Sequence, residues 1–141
     1  MFDELENYES KDHFFFSAED ELADVCNAPK KGIGVFIVYT LKNGKVELVY
    51  IGSSGKISQN GSPEIRTGGI CNGLVNGEQF GKPRLVSWKE KLIAEKIEAL
   101  DVYWYVTFDE YNSDIPAAIE GLMIQRYLDA FGQLPKWNTE F

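Results

Sequence analysis

The stretch GVFIVYTLKNGKVELVYIG, residues 34–52, decides the fold of this chain. Its two outer parts are rich in β-branched and aromatic residues, which favour strands, and the Asn43-Gly44 pair between them is typical of a tight turn. The stretch is therefore predicted to form a β-hairpin. A run of similar composition, DVYWYVTF at residues 101–108, predicts a further strand.

Helices are predicted around these strands. Residues 87–100 begin with a Ser-x-x-Glu capping box and carry apolar residues at helical spacing. Residues 116–131 begin with proline and are followed by glycine, which are common residues at a helix start and stop. A second capping box, Ser17 with Asp20, predicts a short helix over residues 17–27.

The length limits the number of domains. A chain of 141 residues and 16.0 kDa can bury one core but not two of comfortable size. We expect a single-core domain at residues 29–141, preceded at residues 1–28 by an acidic amino-terminal arm and the short helix. The arm contains Phe14, Phe15 and Phe16, which need burial or a partner.

The first residues, the longest uncharged run and the cysteines predict the cellular compartment. The acidic first residues lack the apolar stretch of a secretory signal, and the longest uncharged run, residues 67–77, is shorter than the roughly 20 apolar residues of a membrane span. We expect a cytoplasmic protein with no membrane partner, in which Cys26 and Cys71 are reduced thiols. Because His13 is the only histidine, a Ser-His-Asp triad and a histidine-based zinc site are excluded.

Charge is distributed unevenly along the chain. The net charge is -8, but residues 30–96 hold eleven basic and five acidic side chains, whereas residues 1–24 hold nine acidic side chains and one lysine. Such asymmetry permits a basic face on an acidic molecule, and a phosphate responds to that local potential. The small polar loop after the hairpin and the basic stretch supply the residues expected to contact DNA: Ser53, Ser54, Lys56, Lys82 and Arg84.

Glycines recur every four residues at positions 69, 73, 77 and 81. In a helix this spacing would present a bare face to a close neighbour. Four interior glycines, however, would destabilise a helix by about 4 kcal/mol relative to alanine. An irregular or partly helical segment is therefore predicted.

Glu120 lies on the apolar side of the last predicted helix. On a helical wheel Gln125, Arg126 and Asp129 form the polar face, and Glu120 falls opposite them. Its neighbours there are Ala117, Met123, Ile124, Tyr127 and Phe131. Because an isolated carboxylate is rarely buried, Glu120 is predicted to pair with a base such as Arg66 or a lysine, to hold a metal, or to line a cleft.

Five elements occur in a characteristic order: Gly34-Val35-Phe36, Tyr50-Ile51-Gly52, Arg66, a helical Glu120 and Asn138 near the tail. Together they resemble the GIY-YIG nuclease family over residues 34–138, about three quarters of the chain. The resemblance implies an α/β (α+β) fold with a small three-stranded antiparallel sheet flanked by helices. That fold agrees with the strands and helices predicted above.

The resemblance also implies metal-dependent hydrolysis of DNA phosphodiester bonds. Glu120 matches the glutamate that holds a single divalent cation, Mg²⁺ or Mn²⁺, and Arg66 matches the arginine that neutralises charge on the phosphate. Tyr50 matches the tyrosine that positions or deprotonates the attacking water, and Asn138 matches the asparagine that orders the site. Lys56 is expected to assist by lowering the pKa of a nearby tyrosine.

Phe36 occupies the position of the first-motif tyrosine and has no hydroxyl group. Either Tyr50 takes over its role, or the metal activates water, or activity is weak or absent. Tyr39 is a poor substitute because an offset of three residues turns it to the other face of the strand. Moreover, a two-residue Asn43-Gly44 turn is predicted to place Phe36 and Tyr50 on opposite faces, whereas a three-residue loop would place them opposite each other.

Three hypotheses follow from these observations. The first is a metal-dependent DNA endonuclease. The second is a nucleic-acid-binding protein of the same fold that has lost catalysis, which Phe36 favours. The third is a protein-interaction domain that docks through the acidic arm and residues 14–16, or whose arm covers the basic face until DNA displaces it.

Overall fold

The structure is a computed structural model that describes residues 1–64 and 69–139. Its strands are β1 (Lys11–Phe16), β2 (Ile33–Lys42), β3 (Lys45–Ser54), β4 (Lys56–Ile57), β5 (Pro63–Glu64), β6 (Glu78–Gln79), β7 (Lys82–Pro83) and β8 (Ala99–Phe108). Its α-helices are α1 (Leu22–Val25), α2 (Gly69–Asn76), α3 (Arg84–Glu95) and α4 (Pro116–Phe131), and a 3-10 helix spans Asp3–Asn7. The predicted α+β class is confirmed.

The main sheet is antiparallel and has four strands in the order β1-β8-β2-β3, so the expectation of three strands was wrong. The additional strand comes from the acidic arm, where Phe14 lies opposite Val102 and Phe16 opposite Leu100. Phe14 and Phe16 are buried in the same core cluster as residues of β2 and β8. The need of these phenylalanines for burial is therefore met by the sheet itself.

The hairpin combines a tight turn with a β-bulge. Asn43 and Gly44 form a two-residue turn with positive φ angles of 52° and 74°. Tyr50 lies opposite Val38 but Leu48 lies opposite Tyr39, which leaves one extra residue in β3.

The bulge decides which side chains share a face. It restores the alternation that the short turn would have broken, so Phe36 and Tyr50 lie on the same face with ring centroids 5.9 Å apart. The prediction that a two-residue turn separates them was wrong because the bulge was not visible in the pattern. Tyr39 does pack on the opposite face, as expected.

Helices cover both faces of this sheet. The face that carries Phe36 packs against α2 and α3, whereas the opposite face packs against α4 and the 3-10 helix. The helical side chains in the first layer are Ile70, Leu74, Trp88 and Leu92, and those in the second are Met123, Ile124 and Leu5. Among the described helices, none is long and apolar enough to cross a bilayer.

The predicted helices differ in how well their bounds hold. Helix α4 has the predicted bounds and ends at Gly132, whose φ is 74°. Helix α3 begins three residues earlier than predicted and stops at Glu95, because Lys96 adopts a left-handed conformation. Ser17 and Asp20 do form the predicted hydrogen bonds, but only one helical turn follows, at Leu22–Val25.

Cys26 and Cys71 form a disulfide, so the expectation of two reduced thiols was wrong. The packing of α2 beside α1 brings their Cα atoms to 6.0 Å although they are 45 residues apart along the chain. A separation of that size gives no local signal of proximity.

Removing this crosslink is expected to destabilise the protein. The Cys26→Ser/Cys71→Ser double variant should lose about 4 kcal/mol of unfolding free energy, because the unfolded chain regains the entropy of a long open loop. Urea unfolding of oxidised wild type and of the variant measures the difference. A reducing agent should lower the wild-type midpoint and leave the variant unchanged. Equal midpoints for oxidised wild type and the variant would contradict the crosslink.

Candidate active site

A cleft of about 320 Å³ lies where the end of β3 meets α2 and the start of α3. Its lining includes Ser53, Ser54 and Lys56, which were predicted to contact DNA, together with the side chain of Arg84. Among the described residues that line it, Lys56 and Arg84 are basic and none is acidic. The lining therefore favours an anionic ligand.

Arg84 is the first residue of α3 and is only 7% exposed. Its Nε donates to Oε1 of Gln79 at 2.9 Å, and its Nη1 donates to the carbonyl oxygens of Gly73 at 3.2 Å and Leu74 at 3.3 Å. Its Nη2 donates to the hydroxyl oxygen of Tyr50 at 3.3 Å. These four bonds use at most four of the five N–H donors of a guanidinium, so at least one donor remains.

The partners of Arg84 are all neutral. Within residues 1–63 and 69–139, no carboxylate forms an ion pair with its guanidinium within 4.0 Å. A buried charge without a counter-ion is expensive, because no attraction to an opposite charge offsets the cost of its desolvation. A cation held in this way at the wall of a cleft is a candidate anion-binding group.

Phe36 forms a platform for this cation. Its ring is fully buried, and the Cζ atom of Arg84 lies 5.1 Å from the ring centroid. The Tyr50 ring lies at 5.6 Å from the same Cζ atom. Phe36, at which the resemblance expects a tyrosine, therefore supports Arg84 through a cation–π contact and supplies no hydroxyl.

Glu120 is half-buried on α4, beside Ser53 of β3. Burial raises the pKa of its carboxyl above the usual value of 4.5, whereas the hydroxyl and backbone of Ser53 and the charge of Arg84 lower it. The predicted inward orientation holds for part of the helix face, since Met123 and Ile124 are buried but Phe131 is exposed.

The predicted alternatives for Glu120 can be compared with its surroundings. No ion pair of the described residues contains Glu120, so a pairing with a lysine is not seen. Arg66, the other predicted partner and the arginine that the resemblance singles out, lies outside the described residues. In the described part of the chain, Arg84 is the arginine that donates to Tyr50 and whose charge lowers the pKa of Glu120.

Asn138 anchors the strand that carries Tyr50. Its Oδ1 accepts from the backbone N–H of Ile51 at 3.0 Å, and its Nδ2 donates to the carbonyl oxygen of Ile51 at 2.9 Å. These bonds occupy the outer edge of β3, the last strand of the sheet. Asn138 therefore fixes the backbone next to Tyr50 and does not line the cleft.

Lys82 lies outside the cleft lining as well. Its exposed ammonium binds the Glu90 carboxylate at 2.8 Å. An exposed ion pair of this kind contributes little to stability and exchanges readily with solvent. The prediction that Lys82 contacts DNA stays a prediction.

The sequence pattern missed Gln79 and the role of the glycines. Helix α2 includes Gly69 and Gly73, Gly77 follows its end, and Gly81 lies in the β6–β7 turn, so the segment is partly helical as predicted. A Cβ at Gly73 would overlap the Ser54 side chain, and a Cβ at Gly77 would overlap Nη1 of Arg84. The four-residue spacing of the glycines was the sequence signal for this packing, because a backbone without Cβ atoms lets Ser54 and Arg84 approach closely.

Gly77→Ala is expected to displace Arg84. The new methyl group would overlap the guanidinium and lie 2.6 Å from the carbonyl oxygen of Gly73, so the unfolding free energy should fall by about 1–3 kcal/mol. DNA binding, measured by fluorescence anisotropy, should weaken in parallel. Gly61→Ala is the control, because its Cβ would meet open space and only its positive φ is strained. Unchanged binding by folded Gly77→Ala would contradict this placement of Arg84.

A divalent cation fits this site only if a bound phosphate supplies part of its coordination. Glu120 supplies one carboxylate, and no group of three or more His, Cys, Asp or Glu side chains in the described chain is arranged to hold a metal. Mg²⁺ is commonly held by one or two carboxylates plus waters and substrate phosphates. The donor set thus suits a hard cation that binds together with a phosphate, and it does not suit a closed structural metal site.

Comparison with known proteins gave no relative for this chain: no family model, no curated protein and no solved structure matches it.

Proposed function

We propose that this protein hydrolyses phosphodiester bonds of DNA with a divalent cation, at a GIY-YIG-like site formed by Tyr50, Arg84 and Glu120. The observation that carries the proposal is the buried guanidinium of Arg84. It lines a cleft whose described residues include no acidic one, and its hydrogen-bond partners in the described chain are all neutral. A phosphate diester is an anion of the size and charge that such a group binds. The order of the sequence motifs supplies the second support.

Each side chain has a distinct role in the proposed reaction. Arg84 donates its remaining N–H to a phosphate oxygen and stabilises the charge that develops there. The Tyr50 oxygen accepts one bond from Arg84 and retains a second lone pair, with which it orients the attacking water. Glu120 would hold Mg²⁺ or Mn²⁺, and such a cation polarises the phosphate and stabilises the leaving oxygen.

Plasmid cleavage tests this proposal. Supercoiled plasmid incubated with the protein and Mg²⁺ or Mn²⁺ should become nicked or linear, whereas EDTA should prevent both products. The reaction is followed by gel electrophoresis over time with increasing protein. Intact plasmid under every metal, with folded protein, would remove the endonuclease proposal.

A second candidate is a protein of the same fold that binds DNA without cutting it. The buried Phe36 ring favours it, because the first-motif position supplies no group that could take a proton. This candidate predicts DNA binding with no cleavage under any metal, and a Phe36→Tyr variant that gains activity. A wild type that cuts DNA would exclude it.

The third candidate, a protein-interaction domain that uses the acidic arm, has less exposed surface than the sequence suggested. Phe14 and Phe16 are buried in the core, and only Phe15, at 54% exposed, remains for a partner. Strand β1 also lies at one edge of the sheet, and β3, whose end borders the cleft, lies at the other edge. A protein partner for the arm stays a prediction, and the idea that the arm covers the cleft receives no support.

A further inference from the structure

Gln79 makes contacts that bear directly on Arg84. It lies in β6 and is 9% exposed, and its Oε1 accepts two hydrogen bonds, from Nε of Arg84 at 2.9 Å and from Nε1 of Trp88 at 3.1 Å. Both partners are obligate donors, so the amide oxygen must face them. The Nε2 of Gln79 is left buried without a partner. A neutral amide is thus held between a buried cation and a fully buried indole.

A carboxylate at this position would fit the same contacts as the amide. Glutamate would accept the same two bonds with the same length of side chain, and it would give Arg84 a carboxylate in direct contact, which no ion pair of the described residues provides. The bond from Nε of Arg84 to Gln79 already has one ionised partner, and a carboxylate would make both partners ionised. It would also replace the buried N–H donors of Nε2, which have no partner among the described residues, by a buried acceptor oxygen. Hydrogen-bond geometry therefore does not distinguish glutamine from glutamate at this position, whereas their charge does.

We propose that Gln79 is a positioning residue for phosphate binding, which fixes the Arg84 guanidinium without neutralising it. This inference rests on the proposed function and specifies what the site requires. Trp88 orients the Gln79 amide, the amide oxygen orients Nε of Arg84, and the cation keeps its full charge toward the cleft. A phosphate then provides an anion in direct contact with Arg84, which the described residues do not.

Two substitutions separate position from charge. Gln79→Glu keeps both acceptor bonds and neutralises Arg84, whereas Gln79→Met keeps the charge of Arg84 and removes both bonds. We expect Gln79→Glu to have the higher thermal midpoint but the weaker DNA affinity of the two. The DNA affinity of Gln79→Glu should fall at least tenfold from wild type. The affinity of Gln79→Met should lie between those of Gln79→Glu and wild type. If Gln79 had a role in stability alone, the variant with the higher thermal midpoint would also have the higher DNA affinity.

The binding measurement uses a short duplex oligonucleotide, EDTA and fluorescence anisotropy over a range of salt concentrations. Loss of one phosphate contact should reduce the slope of log K against log salt by about 0.9 for Gln79→Glu. Gln133→Glu is the control, because it makes the same chemical change at an exposed position of the chain. It should leave the affinity within about twofold of wild type.

The outcomes are distinguishable. Wild-type affinity in folded Gln79→Glu would overturn this inference and leave the proposed function standing. Failure of Gln79→Glu to fold would also overturn it, because a carboxylate paired with Arg84 should preserve the structure. A wild type that binds no duplex at any salt would overturn the proposed function, and this inference with it.

Discussion

Glu120→Gln is expected to abolish DNA cleavage while leaving the protein at least as stable as wild type. The amide keeps the shape of the side chain but cannot act as an anionic ligand for a hard cation. Removing an outer partner of a metal ligand typically reduces activity by about 10–100-fold, and removing the ligand itself should exceed that. Initial rates of plasmid nicking in Mg²⁺ and in Mn²⁺ measure the loss.

Through Glu120, the stability of the wild-type protein depends on pH in a defined direction. Because burial raises the pKa of Glu120 above 4.5, the folded protein favours the protonated carboxyl and is destabilised when that carboxyl ionises. The stability that the protonated Glu120 carboxyl contributes is fully present below pH 4.5, and it should therefore be lost as the pH rises through the raised pKa. Glu120→Gln should remove that loss, so its thermal midpoint in EDTA should exceed that of wild type at neutral pH.

Glu110→Gln is the matched control, because it removes an exposed carboxylate outside the site. It should retain the nicking rate and the wild-type dependence of the midpoint on pH. Nicking by Glu120→Gln at the wild-type rate would remove Glu120 from the mechanism. A lower midpoint for Glu120→Gln at neutral pH would show that the carboxylate stabilises the fold.

Arg84→Lys is expected to slow cleavage by about 10²–10³-fold, comparable to the loss of one preorganised donor to a developing anion. Lysine keeps the positive charge but lacks the planar fork, so it cannot bind Gln79, the α2 carbonyl groups and Tyr50 together. Some of the contacts that fix the cation under the cleft would be lost. Nicking rates and anisotropy with a labelled duplex report on catalysis and binding separately.

Arg126→Lys serves as the control for an arginine outside the cleft. Arg126 lies on α4 and pairs with Glu4, away from the residues that line the cleft. This variant should cut and bind as wild type does. If Arg84→Lys also cuts at the wild-type rate, a point charge suffices at this position and the fork has no function.

The strands and the last helix follow from local patterns in the sequence. Alternating β-branched and aromatic residues define β2, β3 and β8, and the proline and glycine at its ends define α4. The bulge in β3 was not predictable in this way, because it depends on how Val49 packs in the core. Strand β1 was missed because its three consecutive phenylalanines hide the alternation of buried and exposed positions, and because its pairing with β8 is distant in sequence.

The candidate site was predictable in part. The helical wheel singled out Glu120 because one charged residue among apolar ones is a local anomaly. Arg84 appeared only as one basic residue among many, and nothing in its sequence neighbourhood predicts its burial. Its contacts with Tyr50, Gln79 and the backbone of Gly73 join four separate segments. The Cys26–Cys71 crosslink was missed for the same reason.

The central claim is that the buried guanidinium of Arg84 receives a phosphate of DNA, and nuclear magnetic resonance tests it directly. The chain has three arginines, Arg66, Arg84 and Arg126, so the Nε–H signal of Arg84 is identified by its loss in Arg84→Lys. Titration of a short duplex in EDTA should shift this signal in a saturable manner, with the Kd found by anisotropy. A duplex that binds while the Arg84 signal stays unchanged would contradict the account.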